Sequence, residues 1–490
     1  MQIFRYLRPV LVVPVVLAGL AIIPSSASPD APARGASADP APVQLLDLTT
    51  RSGRTTEIAR AGLDETKPSP ARTRAQAGED GGDSPAPGGL NALTVVAGDV
   101  GPGADAPDSG ADAFDPERDA VILTDPLKVD DFLVAGFTWT GGEGDAPPDD
   151  VRIYLRVRQS GEWSPWYLNE PSDAGRDDGA ARAGTDELIT GGADAVQASV
   201  VGDAADLPAG LTLALVPDRP SGERSLGAAD VRAVGAGPPG VAGEAADEPA
   251  PTPGRAGSTA ETAAGTTGGA SAARLPSVAL AAETDDPAAL VTTREEWGAN
   301  PAYLNWAPDY APAEHVIVHH TAGTNNYTPE QSPAIVRGIY YYHAVVLGWG
   351  DIGYNFLVDK YGQVFEGRYG TLDSDPGAMV VGGHAYGANT GTMGISMMGN
   401  YSSVSPSEIQ IERVGQMAGW FLGRAGVADA HGSSRYTFHA TQKYRRGQTI
   451  DLDVISAHRD VGYTTCPGNA GYSAMGQIRD IAQAQLDGGR

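Results

Sequence analysis

The C-terminal part of this chain is organised around one stretch, His458-Arg459-Asp460-Val461-Gly462-Tyr463-Thr464-Thr465-Cys466-Pro467-Gly468. It contains the last histidine and the only cysteine of the protein, eight positions apart. Further upstream, the apolar run Val316-Ile317-Val318 is typical of a buried strand and is followed by His319-His320. Two imidazoles and one thiolate can bind Zn²⁺ and leave its fourth tetrahedral position open to water. The two stretches together predict a metal site at the end of a strand.

Composition limits both the number of domains and the kinds of partner. The chain has 490 residues, and its 64 Gly and 37 Pro concentrate in stretches that cannot bury a core. The formal charge of −27 argues against nucleic acid as a partner, because phosphate contacts need Lys and Arg. From Val291 onward there are 13 basic and 18 acidic residues, a net of −5, so most of the acidity lies earlier. We interpret that acidity as solvation of a flexible chain.

The N-terminus predicts export. Residues 1–27 have the organisation of a signal peptide, with Arg5 and Arg8 before an apolar region and small residues at 25–27. No later run reaches the roughly 20 apolar residues of a spanning helix, so we expect no membrane span after cleavage. The expected location is therefore secreted, outside the cell. A lone cysteine in an oxidising compartment has no intramolecular partner, which favours a metal-bound thiolate over an inert thiol or an intermolecular bridge.

Changes in amino-acid composition and hydrophobic pattern along the chain predict the domain boundaries. Residues 28–112 are rich in Ala, Gly, Pro, Asp and Ser and are expected to be a disordered spacer. Residues 113–217 contain strand-like runs with alternating aliphatic residues, as at 132–139 and 151–158, and predict a β-sandwich-like accessory domain. Residues 218–287 are expected to be a flexible linker. Trp163 and Trp166 are either a carbohydrate-stacking platform or part of the packing of the accessory domain, and packing is the favoured interpretation.

Residues 288–490 hold all eight histidines and alternate helical with strand-like patterns. A helix is predicted to begin at Thr328-Pro329 or Ser332-Pro333, since proline suits the first helical position. Residues 355–358 and 363–366 predict a hairpin, and 394–398 a buried central strand. Ser405-Pro406-Ser407-Glu408 has capping-box spacing and is expected to open a long helix. The predicted fold class is α/β, a mixed sheet flanked by helices, preceded by the all-β accessory domain.

Several motifs occur between residue 291 and the C-terminal stretch in a characteristic order. They are Arg294-Glu295-Glu296-Trp297-Gly298-Ala299, Val316-Ile317-Val318-His319-His320-Thr321-Ala322, Trp349-Gly350-Asp351-Ile352-Gly353-Tyr354-Asn355-Phe356, Gly362-Gln363-Val364-Phe365-Glu366-Gly367-Arg368, His384-Ala385-Tyr386-Gly387-Ala388-Asn389, Gly394-Ile395-Ser396 and the opening stretch. Residues 291–485 resemble the zinc-dependent N-acetylmuramoyl-L-alanine amidases, which share a fold with peptidoglycan recognition proteins and phage amidases. Nothing comparable covers the first 290 residues.

The resemblance implies a set of functional residues. Its zinc ligands fall on His319, His458 and Cys466, so that His320 faces the other side of the strand. Its catalytic positions fall on Tyr354 and Thr464, whose hydroxyls are expected to donate to a tetrahedral oxyanion.

Further positions are weighed beside these. His384 and Asn389 match positions expected to contact substrate. His343 is expected either to line the substrate groove or to satisfy a buried hydrogen bond. Glu366 is a tempting proton shuttle, but its matching position in the family is structural.

The implied activity is hydrolysis of the amide between the lactyl group of N-acetylmuramic acid and L-alanine of peptidoglycan, with Zn²⁺ as cofactor. The resemblance also implies that the secreted protein is associated with the cell wall. Two alternatives were weighed. A recognition protein that binds muropeptides without cleaving them is disfavoured because all three ligand positions are filled. A blue-copper carrier also uses two His and one Cys but would need a weak axial Met.

Overall fold

The computed structural model describes residues 40–60, 114–142, 147, 150–177, 182–235, 286–439, 441 and 443–488. They form an all-β domain before residue 236 and a mixed domain from residue 286 onward. The predicted signal peptide and most of the two predicted flexible segments lie outside the described residues.

The accessory domain is built almost entirely from strands. They are β1 (Ala41–Asp47), β2 (Ala120–Leu123), β3 (Leu127–Gly142), β4 (Arg152–Gln159), β5 (Glu162–Trp163), β6 (Tyr167–Asn169), β7 (Arg182–Gly184), β8 (Leu188–Val201), β9 (Thr212–Val216), β10 (Pro220–Leu226) and β11 (Arg232–Ala233), with a short helix α1 (Glu57–Arg60) after β1. The predicted all-β domain is therefore confirmed. Its main hydrogen-bonded path runs β10-β1-β9-β3-β8-β4-β5.

Two predicted boundaries of this domain are wrong. The predicted spacer included β1, yet β1 lies between β9 and β10, and its Val43 and Leu46 are buried. The predicted linker included β10 and β11, which pair with β1 and β3. Both segments were misjudged because their surroundings are rich in Ala, Gly and Pro. Their pairing partners lie more than 150 positions from β1 and about 100 from β11, so nearby sequence contains little trace of them.

The mixed domain continues the numbering, and its bounds follow. Its strands are β12 (Val291–Thr292), β13 (Tyr310–Pro312), β14 (His315–His320), β15 (Ala322–Gly323), β16 (Phe356–Val358), β17 (Val364–Glu366), β18 (Ala378–Val380), β19 (Thr392–Met397), β20 (Ser433–Thr437), β21 (Thr449–Asp453) and β22 (Ile455–Ala457). Its helices are α2 (Ser332–Tyr341), which runs into a π-helical turn at Tyr342–Val346, α3 (Glu408–Arg424), α4 (His458–Val461), α5 (Asn469–Ser473) and α6 (Met475–Gly488).

Its central sheet has the order β12-β17-β16-β19-β14-β22 and is mixed, since β16 and β17 are antiparallel while β16, β19, β14 and β22 run parallel. Alternate residues of β16 show that helices cover both faces. Phe356 and Val358 pack in the core that contains α3 and α6, whereas Leu357 packs in the core that contains α2. The predicted mixed sheet flanked by helices is confirmed.

Local signals placed the elements well. Proline at the start of α2 is Pro333, so the second of the two predicted starts is correct. The capping hydroxyl of α3 belongs to Ser407, which accepts a hydrogen bond from the Gln410 N–H; the predicted box starting at Ser405 is displaced by two residues. No helix in the described part of the chain has both the length and the apolar composition needed to cross a membrane.

The two domains share a core, and the described residues from Pro40 onward belong to one compact unit. Val134 and Ile189 of the accessory sheet pack in one cluster with Ile335 and Ile339 of α2. Strand β15 also pairs in parallel with β8, so the accessory sheet extends into the mixed domain. The connection is therefore continuous through side chains and backbone alike.

Candidate metal centre and its cover

Two parallel strands bring the histidines together. In the pairing of β14 with β22, Val318 lies opposite Ala457, so the next residues, His319 and His458, are neighbours at the carboxyl ends of the two strands. Their ring centroids are 4.5 Å apart. Side chains at the ends of adjacent parallel strands are held rigidly by the sheet. The strand pairing alone thus places two imidazoles at one point.

Cys466 completes the cluster from the loop after α4. Its Sγ lies 3.9 Å from Nδ1 of His319 and accepts a hydrogen bond from the His320 N–H at 3.3 Å. One ligand atom from each of His319, His458 and Cys466 lies within 4.8 Å of the others. All three side chains are buried, with exposed fractions of 1%, 2% and 3%.

Hydrogen bonds on the outer side of the imidazoles hold their other nitrogens available for a metal. Nε2 of His458 lies 3.1 Å from the carbonyl oxygen of Asp173. Because a carbonyl can only accept, this nitrogen carries the proton and Nδ1 keeps its lone pair. A ligand histidine commonly donates its second N–H to a carbonyl in this way. Two His and one Cys with free donor atoms suit Zn²⁺ with one open position.

His384 supports His319 from behind. Its Nδ1 lies 3.1 Å from Nε2 of His319, and its Nε2 lies 3.2 Å from Oγ1 of Thr392. Thr392 in turn donates to the carbonyl of Ala388 at 2.7 Å. If Nδ1 of His319 is kept free for a metal, each group in this chain donates to the next. His384 is fully buried, so in this structure it contacts His319 and Thr392 and does not reach the surface, where it was predicted to contact substrate.

Burial sets the protonation of the cluster. It lowers the pKa of His458 to about 4 and that of His384 to about 3, and it holds the pKa of His319 well below its usual value. These imidazoles are therefore neutral at pH 7, as metal ligands must be. Burial raises the pKa of the Cys466 thiol, so binding a metal there would release its proton.

Tyr354 and Thr464 flank the ligands. The ring of Tyr354 lies 5.3 Å from that of His319, and burial raises its pKa, which keeps the hydroxyl protonated and able to donate. Thr464 accepts a hydrogen bond from the Cys466 N–H at 3.1 Å and donates its own proton to Oε2 of Glu170 at 3.1 Å. Thr464, predicted as an oxyanion donor, thus lies beside Cys466, and its hydroxyl already donates to a carboxylate.

The two remaining predicted residues, His343 and Glu366, are both hydrogen-bonded within the protein. His343 accepts from the Gly353 N–H through Nδ1 at 3.2 Å, and its Nε2 lies 3.1 Å from Oε2 of Glu187. It therefore satisfies a buried hydrogen bond, the second of its two predicted roles. Glu366, the last residue of β17, accepts a hydrogen bond from the Leu372 N–H through Oε1 at 3.2 Å, so its carboxylate holds the chain that follows the strand.

A segment of the accessory domain lies over this site, and nothing in the sequence pattern predicted it. We call residues 170–177 the covering segment; it follows β6. Asp173 contacts His458 through its carbonyl and accepts from the Tyr463 N–H through Oδ2 at 3.1 Å. Burial raises the pKa of its carboxyl to about 7.

The covering segment also reaches Asn389. Its Nδ2 donates to the carbonyl of Gly175 at 2.8 Å and to Oδ1 of Asp177 at 2.6 Å. Asn389 is fully buried, and its Oδ1 accepts from the N–H groups of His384 and Ala385. The predicted substrate contact is therefore occupied here by the protein's own backbone and a carboxylate.

Comparisons with known families agree with this geometry. Residues 309–469 match the family N-acetylmuramoyl-L-alanine amidase, and residues 104–223 match a family described as Rv3811 N-terminal galactose-binding domain-like. Peptidoglycan-recognition protein SC2 of Drosophila simulans is 32% identical over 188 residues, covering 36% of this chain and 80% of that protein. Peptidoglycan recognition protein 1 of Rattus norvegicus is 28% identical over 190 residues, covering 39% and 87%.

Solved structures were matched as well. The ectodomain complex of peptidoglycan recognition proteins LCa and LCx with tracheal cytotoxin matches with 26% identity and a TM-score of 0.29, over 37% of this chain and 92% of that chain. An endolysin N-acetylmuramoyl-L-alanine amidase of Clostridium intestinale matches with 23% identity and a TM-score of 0.25, over 36% and 90%. On the sequence relationships, the chain belongs to the superfamily of peptidoglycan recognition proteins and N-acetylmuramoyl-L-alanine amidases.

Proposed function

We propose that this protein is an exported, zinc-dependent N-acetylmuramoyl-L-alanine amidase that acts on peptidoglycan. The observation that carries the proposal is the convergence of His319, His458 and Cys466 within 4.8 Å, with an outer hydrogen bond on each imidazole. A protein that only binds muropeptides has no need of such a set. The family relationship supplies the substrate class, and the predicted signal peptide supplies the location.

Zinc bound by these three residues would supply an activated water and polarise the scissile carbonyl. The chain's own groups have separate tasks. His384 holds the ring of His319 in the orientation that metal binding requires, and the Asp173 carbonyl holds the ring of His458 in the arrangement seen in this structure. Tyr354 keeps its proton because of burial, so it is able to donate to the oxygen on which negative charge develops. Thr464 becomes the second donor when its hydroxyl is no longer hydrogen-bonded to Glu170.

Metal content tests the site. The purified full-length protein should contain about one zinc per chain, and Cys466→Ser should lose most of it, because zinc sites depend on each ligand. Ser402→Ala, an exposed serine outside the cluster, is the control and should retain zinc. A wild-type protein that cleaves peptidoglycan at full rate without any metal would overturn the assignment.

Product analysis tests the reaction. After long incubation with purified peptidoglycan, new amino termini of L-alanine should appear without new reducing sugar ends. This pattern identifies the lactyl–alanine amide as the bond that is cut. Zinc-loaded protein that binds muropeptides tightly, yet releases no alanine termini under any condition, would instead establish the non-catalytic recognition function.

A further inference from the structure

The covering segment connects the two sides of the metal site. On one side, Glu170 accepts hydrogen bonds from the Thr464 hydroxyl and the Thr465 N–H, at 3.1 and 3.0 Å. On the other side, Asp177 accepts from the Gly387 N–H at 2.8 Å and from Asn389. Between these anchors the segment passes directly over His458.

Close contacts show that little room is left beneath it. A Cβ atom added to Gly462 would lie 2.0 Å from Oδ2 of Asp173, and one added to Gly383 would lie 3.3 Å from the Gly175 backbone. Gly175 also donates its N–H to the carbonyl of Gly383 at 2.9 Å. With the three ligand side chains at most 3% exposed, a polymeric substrate has no approach to them in this arrangement.

The groups occupied by the segment are the ones that a substrate would need. Thr464 and Asn389 are engaged by Glu170, Gly175 and Asp177. Glu187, just before β8, similarly accepts from His343. Carboxylates and backbone carbonyls of the accessory domain thus accept the hydrogen bonds that side chains around the cluster donate. The carboxylates and amides of a stem peptide would accept the same hydrogen bonds.

We propose that the accessory domain is an inhibitor of the amidase within the same chain, and that residues 170–177 must leave the metal site before peptidoglycan can enter. The inference rests on the proposed function of that site. It assigns to the all-β domain a role beyond attachment. Apparent substrate affinity is then the intrinsic affinity reduced by the fraction of molecules whose segment has moved away.

The nature of the anchors suggests that the segment can move while the domains stay docked. Its ends are fixed by hydrogen bonds of Glu170, which is partly exposed, and of Asp177, which is exposed, and Ala174 is the one residue of the segment that packs in the core shared with α2. Losing the two anchors therefore weakens the cover, and movement of the segment withdraws only the small Ala174 side chain from that core. Since a hydrogen bond to a charged group contributes about a factor of ten or more, removing two anchors should be easily measured.

The test uses the full-length, zinc-loaded protein and the double variant Glu170→Ala/Asp177→Ala. Its matched control is Asp131→Ala/Glu162→Ala, which removes two exposed acidic residues from β3 and β5 of the same domain. Binding of N-acetylmuramoyl-L-alanyl-D-isoglutamine is measured by thermophoresis, alongside the release of alanine termini from peptidoglycan. Zinc content and melting temperature are measured for every variant.

We expect the anchor variant to bind the muropeptide about tenfold more tightly than wild type and to cleave faster by a similar factor, with one zinc retained. The control should match wild type. Unchanged or weaker binding in a folded, zinc-loaded anchor variant would overturn the inhibitory role. If binding tightens but no variant ever releases alanine, the inhibition stands and the proposed amidase activity is wrong. If wild type cleaves and the anchor variant neither binds better nor cleaves faster, the activity stands and the inhibition is wrong.

Should the double variant fail to fold, the single variant Asp177→Asn serves the same purpose. It keeps the oxygen that accepts from both the Gly387 N–H and Asn389 but removes the carboxylate charge that strengthens these two hydrogen bonds. A smaller gain in muropeptide affinity than that of the double variant is expected, and the control is Asp131→Asn. No gain over that control would count against the proposal.

Discussion

The contact between Glu187 and His343 allows a prediction with an internal control. Nδ1 of His343 accepts from a backbone N–H, so Nε2 carries the proton and donates to Glu187 across the domain interface. Both side chains are only 1% exposed. Glu187→Ala removes the acceptor, whereas Glu187→Gln keeps one and removes only the charge. The two variants therefore separate the hydrogen bond from the carboxylate.

The magnitudes follow from burial. A buried donor left without an acceptor costs about 1–3 kcal/mol of the free energy of unfolding, which is the expected loss for Glu187→Ala. The second oxygen of Glu187, Oε1, is buried and has no hydrogen-bond partner among the described residues. Removing its charge relieves a desolvation cost, so Glu187→Gln should stay within about 1 kcal/mol of wild type.

Urea unfolding of the metal-free protein, followed by tryptophan fluorescence, measures both changes. Metal-free protein is used so that altered zinc binding does not enter the result. The ring of Trp349 packs against that of His343, tilted by 35° with ring centroids 4.4 Å apart, so its emission reports on this site. Equal destabilisation by the two variants would refute the reasoning, because it would mean that the carboxylate charge, and not the acceptor, stabilises the interface.

Three further predictions concern stability and are measured by urea unfolding. Trp166 has no exposed surface, so Trp166→Ala should cost about 3–5 kcal/mol, and a small loss would revive the stacking-platform interpretation. Burial lowers the pKa of His315 below its usual value of 6.5, so the stabilising contribution of the neutral imidazole is present above that pH and is lost on acidification. His315→Phe should therefore reduce the dependence of the free energy of unfolding on pH below 6.5 by up to about 1.4 kcal/mol per pH unit. A slope equal to that of wild type would contradict this. A Cβ at Gly136 would lie 2.1 Å from the Tyr342 hydroxyl, so Gly136→Ala should cost about 1–3 kcal/mol, whereas Gly476→Ala, in open space on α6, should not destabilise.

Much of the mixed domain could be predicted because its signals are local. The apolar run before His319, the turn between β16 and β17 and Pro333 at the start of α2 each act within a few residues. The accessory domain was predicted only where its strands alternate clearly. Strand β1 could not be found, since it is held by β9 and β10 from the far end of the domain.

The candidate site divides in the same way. Convergence of His319 with His458 follows from the rule that parallel strands end at one edge of a sheet, and motif order identified Cys466. The covering segment is different. Asp173 meets His458 across 285 positions of sequence, through a backbone carbonyl that any residue could provide. Side-chain identity carries no record of such a contact, so only the structure could show it.

The core shared by the accessory sheet and α2 has a practical consequence for anyone who works with this protein. Cutting the chain at the predicted boundary near residue 288 would strip Ile335 and Ile339 of the neighbours that bury them. The isolated C-terminal domain would expose this apolar surface to solvent and would self-associate through it. The accessory domain and the domain that contains α2 should therefore be produced and purified as one chain, because the core is built from residues of both.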